Sequence, residues 1–184
     1  VGDPQVRNLG TIGGSVAHAD PAADWPAALL ALDAQFVVTS GGAPRVIPSA
    51  SFFLDLLTTA LEPGEILTEI RVPVPAAGGH AYEKVRQPAS GFALVGIAVQ
   101  LAIERRVCKA ARIGVTGVTS HAVRGAASER ILQNQPLDAA TVALAAEQIT
   151  SGLDVLDDLH ASSQFRAQLA RVHARRALMR AAGL

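Results

Sequence analysis

From Tyr82 onward the chain changes its hydrophobic period once and does not change back, and that switch limits the folds open to it. Tyr82 to Gln87, Leu94 to Glu104 and Arg106 to Val118 read as three strands. β-branched residues dominate the later two, and a tight turn at Arg105-Arg106 joins them. The pattern then becomes helical, over Val123 to Leu132, Asp138 to Ile149 and about His160 to Ala182. In the last segment Phe165, Leu169, Val172 and Met179 fall on one side. Strands followed by helices, rather than alternating with them, predict an α+β unit: an antiparallel sheet with helices packed on one face.

The preceding block, up to the Pro73/Pro75 pair, is of mixed character. Asp20-Pro21 reads as an N-cap followed by proline in the first turn of a helix that runs through Pro26 and buries Trp25, Leu29, Leu30 and Leu32. Gln35 to Thr39 and Arg45 to Ile47 form a hairpin across Ser40-Gly41-Gly42-Ala43. Ser51 to Leu61 reads as a short helical piece with Phe52, Phe53, Leu56 and Leu57 on its apolar side. Glu65 to Pro73 alternates as a strand, with Ile66, Ile70 and Val72 on one face and Leu67, Glu69 and Arg71 on the other. Leu67 is then an apolar residue on a polar face, either simply exposed or in contact with an apolar ring. The two blocks divide the chain into residues 1–76 and 77–184.

Composition narrows the chemistry. An apolar content of 49% over 184 residues is ample for a core. Sixteen basic and sixteen acidic residues cancel, leaving no broad positive field for nucleic acid or acidic lipid. Apolar runs such as Leu94 to Ile103 are too short to span a bilayer, and the amino terminus lacks a secretory layout, so a soluble cytoplasmic protein is expected. The single cysteine, Cys108, cannot ligate a cluster alone, and the five histidines are not spaced to share a metal. They read as surface or satisfied core residues, and a redox cofactor here would be organic.

Thr11-Ile12-Gly13-Gly14-Ser15 carries the features a diphosphate needs: glycines that let the backbone approach, successive N–H groups and flanking hydroxyls. On pattern alone it reads more readily as an ordinary turn than as a phosphate cradle, since Gly-Gly marks turns and neither a dinucleotide fingerprint nor a P-loop is present. Asp24 reads either as a solvated first-turn acid or as a carboxylate accepting hydrogen bonds from a ligand's ribityl or ribose hydroxyl. No nucleophile with a matching base and no convergent carboxylate pair stands out, so no catalytic residue is assigned.

Taken together, several stretches resemble the FAD-binding medium subunit of the molybdenum hydroxylases, the carbon monoxide dehydrogenase and xanthine dehydrogenase family. They are Gly2-Asp3-Pro4-Gln5-Val6-Arg7-Asn8, Thr11 to Ser15, His18-Ala19-Asp20-Pro21-Ala22-Ala23-Asp24, Glu65-Ile66-Leu67, Val72-Pro73, Tyr82-Glu83-Lys84-Val85-Arg86 and Asp158 to Arg166. The resemblance implies a partial FAD-binding α/β subdomain followed by a small antiparallel sheet packed with a C-terminal helical bundle. It implies that Thr11, Gly13, Gly14 and Ser15 bind the pyrophosphate, that Asp24 contacts the cofactor and that Leu67 packs by the isoalloxazine. Arg86, or next Lys84, matches the basic residue near the flavin, and His18 matches a position near the cofactor whose residue type varies.

The same resemblance implies an oxidoreductase subunit that passes electrons from iron–sulfur clusters through FAD to an external acceptor. Its implied partners are a molybdenum-cofactor large subunit and a [2Fe-2S] small subunit, with homo-oligomerisation left open and no metal in this chain. The family's first glycine-rich loop, of the Ala-Gly-Gly-x-Ser type, is not found here, and Ser90-Gly91 stand before Phe92-Ala93 where relatives often place an acid. With an incomplete site, the chain by itself is expected to bind FAD weakly or not at all and to be inactive. The competing expectation is a flavin-free structural module that docks partner subunits.

Overall fold

The computed structural model describes residues 1–75 and 77–184, so the division expected between 76 and 77 falls at a residue outside the described set. Two short helices open the chain: α1 (Pro4–Leu9), capped by the Asp3 carboxylate on the Val6 N–H, and α2 (Ile12–His18), capped by the Thr11 hydroxyl on the Gly14 N–H. The paired glycines therefore form the first turn of a helix rather than a plain turn. Glycine's poor helix propensity hides such an element, and the caps at Asp3 and Thr11 supply what the short segments lack.

Helix α3 (Asp24–Ala31) begins later than the sequence suggests, with Ala23 at its N-cap position. Asp20 instead closes a turn, accepting from the Ala22 N–H at 2.7 Å. Pro26 explains the difference. A helix begun at Pro21 would hold it in the interior, whereas one begun at Asp24 holds it in the first turn, where its missing N–H is not needed.

β1 (Gln35–Thr39) is the centre of an antiparallel sheet between β2 (Arg45–Pro48) and β5 (Ile66–Arg71). The piece expected to be helical over Ser51 to Leu61 is a 3-10 turn at Ser49–Ser51 followed by a small hairpin, β3 (Phe53–Asp55) and β4 (Thr58–Thr59). Its apolar pattern mimics an amphipathic helix, yet only the phenylalanines are buried. Phe52 and Phe53 cluster with Phe36, ring centroids 4.4 and 5.9 Å from it, while Leu56 and Leu57 are exposed.

β5 carries a bulge. Val37 pairs with Glu69 and Val38 with Leu67, so Thr68 is the extra residue, and its hydroxyl donates to the Val37 carbonyl at 3.1 Å. The bulge breaks the expected alternation: Leu67 and Ile70 both pack on the core around Phe36, and Ile66 turns outward, 66% exposed.

The second sheet has four strands rather than three: β6 (Gly78–Arg86), β7 (Ala93–Glu104), β8 (Val107–Thr116) and β9 (Val123–Arg124), in that order and antiparallel. Val123 and Arg124 thus belong to a strand, and the helix expected from Val123, α4 (Ala126–Leu132), starts three residues later. α5 (Ala139–Glu147) and α6 (Ser163–Ala182) follow, capped by Asp138 and Ser162. Val95, Ile97, Val99, Leu101, Ile113 and Val115 turn one sheet face toward these helices.

The buried face of α6 is only partly the one expected: Leu169 and Met179 pack at its margin against the core, but smaller residues fill its centre. Phe165 is 53% exposed, whereas Arg166, Ala170, His173, Ala174, Ala177, Leu178 and Ala181 are buried. Alanines allow close approach to the sheet, but they count for little in a hydrophobic periodicity.

The opposite sheet face is not bare either, as a one-sided packing would leave it. α3 lies across β7 and β8 with Ala27 and Ala31 against Ala98 and Tyr82. The approach is close enough that a Cβ on Gly114 would stand 1.9 Å from the Ala27 carbonyl oxygen. The Thr116 hydroxyl lies 2.6 and 2.9 Å from the Pro21 and Ala23 carbonyls, and the Gly117 N–H donates to Pro21 at 2.6 Å. The sheet therefore sits between two helical layers, and the segment before α3 is fastened to its end.

Candidate functional site

That fastening fixes a cavity of about 630 Å³ bounded by α1, α2, the start of α3 and Phe92. Of the candidate residues, Thr11, Gly14, Ser15, His18 and Asp24 line it. Thr11 spends its hydroxyl on the helix cap at 3.0 Å, and the first-turn amides of Ile12 and Gly13 have no intrahelical acceptor. Gly13 does not line the cavity, but nothing lies within 4 Å of where its Cβ would be, so its backbone is sterically open. These features suit an anionic group held by backbone donors.

A second cavity, of about 410 Å³, is bounded by Tyr82, Lys84 and Arg86 from β6 and by Ala28. Val1, Asp24 and Trp25 line both cavities, which makes them neighbours. Arg86 is exposed at the end of its strand. Leu67 lines neither; the bulge in β5 turns it into the core, on a strand that contacts α2.

Asp24 is not the solvated acid of the local reading, being only 8% exposed. The Tyr82 hydroxyl donates to its Oδ1, and the Lys84 ammonium lies 2.8 Å from its Oδ2 and 3.0 Å from the Gly91 carbonyl. Burial first, then the Asp24 charge, pushes the Tyr82 hydroxyl far above the usual phenol range, so it stays a donor. Losing either partner would leave a desolvated charge behind, which ties β6 to α3.

The loop before β7 closes on itself: the Ser90 N–H and hydroxyl both meet Gln87 Oε1, at 2.7 and 2.9 Å. Gly91 adopts φ 71°, and a Cβ on it would stand 2.9 Å from the Gly2 carbonyl oxygen, so the residue beside Phe92 is small for steric reasons.

Among the described residues, no group of three or more His, Cys, Asp or Glu is placed to hold a metal ion, and no helix is long and apolar enough to cross a membrane. His173 is not satisfied as a core histidine should be: its Nδ1 is buried without a hydrogen bond, 3.8 Å from Glu83 Oε2.

Tyr82, Trp25 and Phe92 were not singled out for the site by sequence. One signal for Tyr82 was there, since Tyr82, Lys84 and Arg86 alternate along a strand and must share a face.

Residues 1–75 match the family model described as the FAD binding domain in molybdopterin dehydrogenase, and residues 80–181 match the CO dehydrogenase flavoprotein C-terminal domain. This chain belongs to the FAD-binding medium-subunit family of the molybdopterin dehydrogenases. Among its relatives in that family is the 6-hydroxypseudooxynicotine dehydrogenase complex subunit alpha of Paenarthrobacter nicotinovorans, 38% identical over 98% of this chain and 62% of the relative. The carbon monoxide dehydrogenase medium chain of Afipia carboxidovorans is 35% identical over 98% and 63%. A solved structure of carbon monoxide dehydrogenase from Hydrogenophaga pseudoflava, one lacking the Mo-pyranopterin moiety of the molybdenum cofactor, superposes with a TM-score of 0.93 at 37% identity, covering 98% of this chain and 63% of that one. The chain thus spans somewhat under two thirds of the length of these medium-subunit relatives, and it is homologous to oxidoreductase subunits.

Proposed function

We propose that the chain is the flavin-holding part of an electron-transfer subunit in a molybdenum hydroxylase complex. The observation that carries the reading is the large cavity. It gathers Thr11, Gly14, Ser15, His18 and Asp24 from separate turns inside the family's FAD-binding domain, and at Asp24 it adjoins a second cavity lined by Lys84 and Arg86.

In this reading the first turn of α2 holds the pyrophosphate: its open amides and the Ser15 hydroxyl donate to phosphate oxygens, and the bare Gly13 backbone permits close approach. The Asp24 carboxylate accepts from the nucleotide's hydroxyl or N–H groups. Arg86 adds positive charge beside the ring, and Leu67 supports the sheet under α2. A bound flavin supplies the one- and two-electron chemistry that lets iron–sulfur clusters communicate with an external acceptor. Partners of the kind the relatives' complexes imply, a molybdenum-bearing large subunit and a [2Fe-2S] small subunit, complete the path. We place the assembly in the cytoplasm, where a lone buried thiol such as Cys108 stays reduced.

The test is Gly13→Val in the protein expressed from its full open reading frame, with FAD uptake followed by flavin fluorescence and visible absorbance. The side chain meets open space, so folding should persist while uptake is lost. Uptake equal to the unmodified protein removes α2 from the site.

A further inference from the structure

Asp24 is the candidate residue that lines both cavities, and both hydrogen-bond donors on its carboxylate come from β6. Tyr82 and Lys84 are two apart on that strand, side by side on the face that meets α3. Tyr82 lines the smaller cavity and not the larger. Its hydrogen bond to Asp24 is the polar contact that links it to the larger cavity.

Two donors do more than one here. The terminal torsion of an aspartate is broad and roughly two-fold, so an ion pair with a flexible lysine stem leaves the carboxylate plane free to turn. A second donor on the other oxygen, carried by a rigid ring, fixes that plane. The ring is well placed for it. Tyr82 packs with Ala27, Ala31 and Ala98, and a Cβ on Gly96 would come within 2.7 Å of its hydroxyl, so the glycine across the strand makes room for the group. A carboxylate offers about four lone-pair sites, and the two donors from β6 leave others for a ligand.

We infer that Tyr82 is a positioning residue for nucleotide binding, its hydroxyl fixing the Asp24 carboxylate so that the remaining lone pairs face donors of a flavin nucleotide in the larger cavity. The inference rests on the flavin-site reading above. It gives the tyrosine a task that ring packing alone would not need, and one that phenylalanine cannot perform.

The experiment is a double-mutant cycle of Tyr82→Phe and Asp24→Asn in the protein from its full open reading frame, titrating apoprotein with FAD by flavin fluorescence, with Gly13→Val alongside. Tyr82→Phe keeps the ring and the Lys84–Asp24 pair and should weaken FAD binding roughly tenfold or more, the worth of a hydrogen bond to a charged group. In the Asp24→Asn background the same change should have little further effect, since the residues act as a unit. A role confined to folding would give the same loss in both backgrounds, and that result overturns the inference. So does Tyr82→Phe binding FAD as tightly as the unmodified protein. If Gly13→Val loses FAD while Asp24→Asn and Tyr82→Phe retain it, only this inference fails; if all three retain it, the flavin-site reading fails with it.

Discussion

Replacing Gly114 by alanine tests the packing of α3 on the sheet, on which both cavities depend. The new Cβ would stand 1.9 Å from the Ala27 carbonyl oxygen, a backbone atom that no rotamer change can move aside. Restoring ordinary contact requires α3 to retreat by about 1.5 Å, enough to forfeit a large share of the dispersion contacts along its buried alanine face. The retreat also stretches the bonds from Thr116 and Gly117 to the Pro21 and Ala23 carbonyls, now 2.6 to 2.9 Å, and each is worth about 1 kcal/mol. The expected cost is about 3 kcal/mol, in the upper range for overpacking, which lowers Tm by roughly 6 to 12 °C for a chain of this size. Urea unfolding monitored by Trp25 fluorescence reads it directly. Gly13→Ala, with nothing within 4 Å of its Cβ, is the control and should stay within about 0.5 kcal/mol of the parent. If Gly114→Ala unfolds at the same urea concentration as Gly13→Ala, α3 does not lie against β8.

Two further substitutions probe polar groups. Arg166, 3% exposed, donates to the Leu94 and Gly117 carbonyls at 2.7 and 2.6 Å and to Asp158 at 2.7 Å, so Arg166→Met should cost about 3 kcal/mol in urea unfolding by stranding these acceptors. Glu65 is held at about 2, against an ordinary 4.5, by the Arg45 guanidinium at 2.6 Å and then by the Glu62 N–H. A carboxyl depressed in the fold adds stability above its unfolded value and loses it as pH falls through the folded one. Unfolding midpoints should therefore decline between about pH 4.5 and 2, and Glu65→Gln should flatten that part of the profile in thermal melts at stepped pH.

The elements legible in the sequence are those whose burial follows strict alternation. β7 and β8 show it plainly, because Val95, Ile97, Val99 and Leu101 on one strand and Ile113 and Val115 on the next all turn to the same helices. β5 defeats the same rule, since an extra residue at Thr68 flips the phase and no local residue type announces it. Helices that bury alanine, α3 and α6, hide their inner face for a different reason: close approach is rewarded by the absence of side chain, not by its size. The candidate site divides similarly. Thr11 through Asp24 are near neighbours in the chain, yet their spacing left an ordinary turn and a solvated acid open, and only the resemblance of the surrounding stretches joined them as a unit. Tyr82 and Lys84 reach Asp24 from about 60 positions away, and only the sheet register brings them there.

The placement of α3 also bears on how such subunits can be recombined. It lies within the amino-terminal family segment, yet its alanine face rests on Ala98 and Gly114 of the other. Hybrids that exchange residues 1–75 between relatives should succeed only when the donor's helix and the recipient's small strand residues are matched as a pair. Swapping one without the other grafts a bulky knob onto a seam tailored for alanine and glycine.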